Sequence, residues 1–79
     1  MQGRGRTSLT DGEYEDARRV TVSFLKNEER VTNTILRRLA GVNYDQAIRF
    51  FGRAIADGTL VRMGRASGTY YVLNKVDGR

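Results

Sequence analysis

Hydrophobic residues recur at helical spacing in three stretches of the chain and then alternate in two short ones. The first stretch runs from Asp11 to about Lys26, and Thr10 with Glu13 forms a capping box at its start. Its predicted inward face consists of Tyr14, Ala17, Thr21, Phe24 and Leu25. The pattern therefore predicts an amphipathic first helix.

A short second helix follows Val31, a residue that we expect to form a minimal strand against a later hairpin. Thr32 or Asn33 is expected to cap this helix, and Gly41 suits the left-handed residue that ends it. Its inward residues are predicted to be Ile35, Leu36 and Leu39.

The third helix is predicted to begin after Asn43, with Gln46 at capping-box spacing, and to end at Gly58. Its predicted buried face consists of Ala47, Ile48, Phe51, Ala54 and Ile55. Phe50 lies beside this face, and partial exposure would let it pack on the first helix or form a dimer contact.

Two strand-like segments, 60–63 and 69–73, are joined by the loop from Gly64 to Gly68. Tyr70 and Tyr71 alternate, so one should face the core and the other should face away from it. The predicted fold class is α+β: a winged helix-turn-helix, in which a three-helix bundle precedes a C-terminal β-hairpin wing. We expect residues 1–10 to be a flexible basic arm or linker, 11–74 to be the winged-helix domain, and 75–79 to be a polar tail.

The charge of the chain is divided along its length. The formal net charge is +5, yet residues 11–29 carry six acids against three bases and residues 30–79 carry nine bases against three acids. This division favours one basic binding face, although twelve of the fourteen bases are arginines, as a GC-rich genome would also produce.

Composition argues against catalysis and membrane insertion. The chain has no His and no Cys, and the acids Glu13, Glu15 and Asp16 lie at the start of the first helix, where stabilisation of the helix dipole is a sufficient explanation for them. No apolar run approaches the ~18 residues that a membrane span needs. We therefore expect no enzyme activity, no metal, no cofactor, no membrane association and a cytoplasmic location.

The basic residues of the third helix and the hairpin suggest binding to double-stranded DNA. Glutamine and arginine are the side chains that pair bidentately with adenine and guanine in the major groove, and wing arginines reach phosphates. The candidate DNA-binding residues are Thr32, Asn33, Asn43, Tyr44, Gln46, Arg49, Arg53, Arg62 and Arg65. Two features complicate this interpretation: Asp45 would repel phosphate unless it binds cytosine or supports Arg49, and Gly52 weakens the helix unless a partner approaches closely.

Several alternatives stay open from the residues alone. These arginines are also compatible with a solvated surface, and a protein-interaction domain would use Phe50 and the hairpin as a dimer or interdomain surface. The arm segment from Gly3 to Arg6 is similar to Arg-Gly segments that enter minor grooves, but it lacks the proline usual in that motif, which favours a linker or a cloning remnant.

The segments 31–42, 57–65 and 68–73 together resemble the bacterial winged helix-turn-helix superfamily. They are most similar to the C-terminal winged module of putative ATP-dependent DNA helicases of the RecG-like, Schlafen-AlbA type, with "Gly-Arg" and "Gly-Thr-Tyr-Tyr" as shared features. The chain differs from that pattern at Ala54 and Thr59, where larger aliphatic residues are usual. The resemblance implies DNA binding by the third helix and the wing, and an ATPase or other effector domain elsewhere in a larger parent protein, in a helicase or in transcription regulation.

Overall fold

Three helices followed by a β-hairpin form the part of the chain that the structure describes, residues 8–74. In this computed structural model, α1 is Asp11–Leu25, α2 is Asn33–Ala40, α3 is Tyr44–Ala56, β1 is Leu60–Met63 and β2 is Tyr70–Leu73. This is the predicted α+β layout of a winged helix. The predicted tail and the first seven residues of the predicted arm lie outside the described residues.

The predicted helix ends are confirmed by their hydrogen bonds. The backbone N–H of Glu13 donates to Thr10 Oγ1 at 3.1 Å, and the N–H of Thr10 donates to Glu13 Oε1 at 2.9 Å. Thr32, rather than Asn33, caps α2 by accepting from the N–H of Ile35 at 3.2 Å. Gly41 ends α2 in the left-handed conformation, with φ 69°.

The hairpin is antiparallel, and the segment before α2 pairs with its second strand through an isolated β-bridge. Leu60 pairs with Leu73 and Met63 with Tyr70. Val31 and Tyr71 exchange two backbone hydrogen bonds of 2.9 and 2.8 Å, which confirms the predicted minimal strand. The hairpin is thereby tied to the helical part of the domain on the side of β2.

The wing turn depends on glycine at only one of its two ends. Gly64 has φ 72°, and a Cβ placed on it would lie 2.3 Å from the carbonyl oxygen of Gly68. No described atom lies within 4 Å of a Cβ placed on Gly68. The loop therefore requires glycine at position 64 because of both its conformation and its close backbone contact.

Aromatic rings join the helices to the hairpin. The ring centroid of Phe50 lies 5.4 Å from that of Tyr14 in α1 and 5.4 Å from that of Phe51. Phe51 in turn stacks on Tyr71 of β2 at 3.7 Å. Tyr70 does not join this stack, and the Arg30 guanidinium lies 4.6 Å from the centroid of its ring. The prediction that one of the two tyrosines faces the core and the other faces away from it is therefore confirmed.

The buried face of α3 differs from the predicted one. Gln46, Ala47, Phe50, Phe51 and Ala54 are buried, whereas Ile48 and Ile55 are 48% and 40% exposed. The observed face is rotated by roughly 70° from the predicted face, at about 100° per residue. The predictions that Ile48 and Ile55 are buried and that Phe50 forms a dimer contact are therefore wrong, whereas the packing of Phe50 on α1 is confirmed.

Candidate nucleic-acid interface

A groove runs between the start of α2, the exposed side of α3 and the hairpin, and we call it the wing groove. The residues that line it include Thr32, Asn33, Tyr44, Ile48, Arg62 and Tyr71. Arg62 lies opposite Tyr71 in the hairpin register, which places it on the side of the hairpin that faces the helices. The structure thus brings together four of the residues predicted to bind DNA: Thr32, Asn33, Tyr44 and Arg62.

A second, shallower depression follows the outer surface of α3, and we call it the helix shelf. It is lined by Asp45, Ile48, Arg49, Gly52 and Arg53. Since Ile48 lines both depressions, it separates the wing groove from the helix shelf. Asp45, Arg49 and Gly52 are exposed on one side of α3, as predicted.

Asp45 gives no support to Arg49 in the described structure. The two residues are four apart on the helix, yet no ion pair between them occurs within residues 8–74. Arg49 consequently extends from the exposed face without a carboxylate partner among the described residues.

The predicted placement of Gln46 in a groove-facing position is wrong. Its residue surface is only 9% exposed, because its side chain folds back to complete the capping box. Gln46 Oε1 accepts from the N–H of Asn43 at 3.0 Å, and its amide nitrogen donates to the Ser8 carbonyl at 3.4 Å. The capping-box spacing in the sequence was a signal against base recognition by Gln46, because one side-chain amide cannot cap the helix and contact a base at the same time.

Arg53 lies at the edge of the helix shelf and is held by α1. Its guanidinium lies 4.1 Å above the ring of Tyr14, and its Nη1 donates to Asp11 Oδ1 at 3.0 Å. Arg53 is exposed beside Arg49, as predicted, but its guanidinium is paired with Asp11 in the described structure.

Two further predicted residues occupy different positions. Asn43 caps α3, and its Oδ1 accepts from the N–H of Gln46 at 2.8 Å. Arg65 is exposed in the wing turn, just before the short 3-10 helix Ala66–Gly68, and lines neither depression. Asn43 therefore has a structural role in the described chain, whereas Arg65 extends from the wing.

Ion pairing divides the arginines between two sides of the domain. Arg19 pairs with Asp16 at 2.7 Å, and Arg18 lies 3.7 Å from Glu15, both within α1. No carboxylate pairs with the arginines of α2, of the exposed side of α3 or of the hairpin within residues 8–74; these are Arg37, Arg38, Arg49, Arg62 and Arg65. From the start of α2 to the end of β2 the chain has six arginines against two aspartates, a net charge of +4.

Arg37, which is not among the predicted DNA-binding residues, lies next to Tyr44 on this side of the domain. Its guanidinium lies 5.6 Å from the ring centroid of Tyr44, and its Nη2 donates to Thr34 Oγ1 at 3.3 Å. Its Nε and the Oδ1 of Asn33 are buried without a hydrogen-bond partner in the described structure. The spacing of Asn33 and Arg37, one helical turn apart, was the available signal.

Comparisons with family models, curated proteins and solved structures found no match to this chain. Among the described residues, no helix is both long and apolar enough to cross a bilayer. The functional interpretation therefore depends on the residues and geometry of the chain itself.

Proposed function

We propose that this chain is a DNA-binding winged-helix module of a larger bacterial protein, helicase-like or regulatory, that acts in the cytoplasm. In this proposal α3 enters the major groove of double-stranded DNA and the wing contacts phosphates. A major groove about 12 Å wide admits one α-helix, so the exposed side of α3 is the element that fits it.

The observation that supports this proposal most strongly is the division of the arginines. The arginines of α1 form ion pairs with neighbouring carboxylates. Arg49, Arg62 and Arg65 extend from α3 and the hairpin, and none of them has a carboxylate partner among the described residues. Unpaired arginines on one side of a small domain are suited to a polyanion, because binding releases the counterions of the phosphates.

Each residue of the surface has a role that follows from its position. Arg49 lies on the exposed face of α3, from which its guanidinium can reach the edge of a guanine. Arg62 and Arg65 are assigned to phosphates on the hairpin side of that helix. Thr32 and Asn33, at the start of α2, are assigned to the phosphate backbone at the opposite wall of the wing groove.

A protein-interaction domain without DNA affinity is the alternative function, and it was expected to use Phe50 as a contact residue. Phe50 is 1% exposed and packs against Tyr14 within the chain, so it offers no surface to a second molecule. A homodimer would instead use exposed apolar residues of α3 or of the hairpin, such as Ile48 and Met63, and the experiment below distinguishes the two functions.

Salt-dependent binding to a duplex tests the proposal. We expect the affinity of the wild-type chain to fall steeply with salt, and the double variant Arg49→Ala/Arg65→Ala to bind more weakly. Its log–log salt slope should be smaller by roughly one, because each phosphate contact contributes about one and only Arg65 of the two is assigned to a phosphate. Fluorescence anisotropy with a labelled duplex at several salt concentrations measures both quantities.

Arg19→Ala is the matched control. It removes one positive charge, half as many as the double variant, from an exposed ion pair on α1 whose loss costs little stability. The slope should then equal that of the wild-type chain. A reduction in the control at least half as large as that in the double variant would show that only net charge matters, and an unchanged slope in the double variant would refute the groove model.

A further inference from the structure

An apolar ridge crosses the exposed side of α3 between the arginines. Tyr44, Ile48 and Ile55 recur at helical spacing and are 56%, 48% and 40% exposed. Single exposed hydrophobic residues are ordinary on protein surfaces, but three on one side of a recognition helix form a continuous feature.

Ile48 occupies the centre of this ridge. It lines both the wing groove and the helix shelf, so neighbouring polar groups flank it on two sides. The adjacent Arg49 and the wing residue Arg62 give its surroundings a positive charge, and Asp45 is the one acid that lines either depression. An apolar tip within such a basic surface suits a ligand that is anionic overall and carries a small apolar group.

The backbone beside Ile48 is open to close approach. Gly52 follows one helical turn later, and no described atom outside the neighbouring backbone of α3 lies within 4 Å of a Cβ placed on it. A ligand surface can therefore approach the helix axis more closely at this point than at any residue that carries a side chain.

The major groove of DNA presents an apolar group of the required kind. The 5-methyl group of thymine projects into that groove and is read by apolar side chains, whereas cytosine presents an amino donor and no methyl group there. We propose that Ile48 contacts the 5-methyl group of a pyrimidine and makes this module prefer DNA that carries such methyl groups. The inference rests on the proposed function, since it requires α3 to lie in the major groove.

A comparison of thymine with uracil isolates the methyl group. The probes are two duplexes of alternating sequence, one of A·T pairs and one of A·U pairs, which differ only in the 5-methyl groups. We expect the wild-type chain to bind the thymine duplex more tightly, by roughly fourfold for each methyl group buried. Equal affinity of wild type for the two duplexes, with normal salt-dependent binding, would overturn the inference and leave the proposed function intact.

Two variants assign the effect to the residue. Ile48→Ala should bind both duplexes equally, and its exposed position predicts that its circular dichroism and melting temperature stay close to those of the wild-type chain. Ile55→Ala, near the other end of the ridge, should keep the preference, because base contacts concentrate near the start of a recognition helix. A preference that survives in Ile48→Ala would overturn the assignment.

The remaining outcomes are also decisive. If the chain binds no duplex at any salt concentration, the proposed function fails and the inference fails with it. If sedimentation shows a dimer without DNA that dissociates on Ile48→Ser, the ridge belongs to a second copy of the chain and the inference is overturned.

Discussion

Asp57 connects the end of α3 to α1 and to the first strand through its two carboxylate oxygens. Oδ1 accepts from the N–H and the hydroxyl of Thr59 at 2.9 and 2.6 Å, and Oδ2 accepts from the hydroxyl of Tyr14. Arg18 joins the cluster by donating from Nε to Thr59 Oγ1 at 2.9 Å. Thr59 is thus used for polar contacts rather than for apolar packing.

These contacts shift two pKa values in opposite directions. Burial raises the pKa of Tyr14 to about 12, and the hydrogen bond to Asp57 and the negative charge of that residue act in the same direction. Burial also acts to raise the pKa of Asp57, but the hydrogen bonds from Thr59 and Tyr14, with the charge of Arg18, lower it overall.

Tyr14 should make the domain sensitive to alkaline pH. Its neutral form stabilises the fold fully below the unfolded pKa of about 10, and that contribution is lost as pH rises toward about 12, because the unfolded chain releases the proton first. We expect the free energy of unfolding to fall by ~2–3 kcal/mol over this interval. Tyr14→Phe should be less stable at pH 8, by ~1–3 kcal/mol from the lost hydrogen bond, and should show a smaller fall.

Urea unfolding at several pH values measures these differences. Tyr44→Phe is the control, because it removes the hydroxyl of an exposed tyrosine and should unfold like the wild-type chain at each pH. Parallel losses of stability in the wild-type chain and Tyr14→Phe between pH 10 and 12 would contradict the raised pKa. On the acid side the sign is reversed: the contribution of Asp57 is present above its unfolded pKa of about 4 and is lost as pH falls.

At the scale of the elements, α3 shows what sequence patterns can and cannot predict. Its start and end follow from local hydrogen bonds and from Gly58, so they could be predicted from neighbouring residues. Its rotation depends on what lies across the core: the ring of Phe50 packs against that of Tyr14 in α1, a residue that becomes its neighbour only after the chain folds. Phe50 also buries more apolar area than Ile48, which explains why the aromatic residue faces inward.

The candidate site, like α3, could be predicted from the sequence only where local features decide the position of a residue. The exposed positions of Arg49, Arg62 and Arg65 were predictable from residue type and element alone. The burial of Gln46 was missed because its capping box folds the side chain back, and the pairing of Arg53 was missed because Asp11 lies 42 positions away along the chain. The exposure of Ile48 was not predicted, because it follows from the rotation of α3.

Gly52→Ala tests whether α3 approaches a ligand closely. Glycine in a helix interior costs about 1 kcal/mol relative to alanine, and the added methyl group meets no described atom within 4 Å. We expect the variant to be more stable by ~0.5–1 kcal/mol and to bind duplex DNA more weakly, because the methyl group enters the space that the ligand occupies. Urea unfolding and fluorescence anisotropy measure the two effects separately.

Gly12→Ala in α1 is the matched control for that variant. Gly12 is also helical and exposed, and a Cβ placed on it likewise meets no described atom within 4 Å. It should gain stability without any change in DNA affinity. If both variants gain stability and neither changes the affinity, the exposed side of α3 is not in close contact with DNA.

At the scale of the whole molecule, opposite charges occupy different parts of one small domain. Residues 11–29, which include α1, carry six acids against three bases, whereas the segment from α2 to β2 has a net charge of +4. A polyanion is therefore attracted to the side of α3 and the wing and repelled by the acidic residues of α1. This separation of charge favours an orientation in which bound DNA lies against α3 and the wing.

Amide chemical shifts recorded while a short duplex is added test that orientation most directly. If DNA binds as proposed, the largest changes fall on the exposed side of α3 and on the wing, at Tyr44, Ile48, Arg49, Gly52 and Arg65. The amides of Glu15 and Arg19, on the exposed surface of α1, should stay unchanged through the titration. Changes centred on α1, or no changes at a duplex concentration that saturates a winged-helix module, would contradict the account.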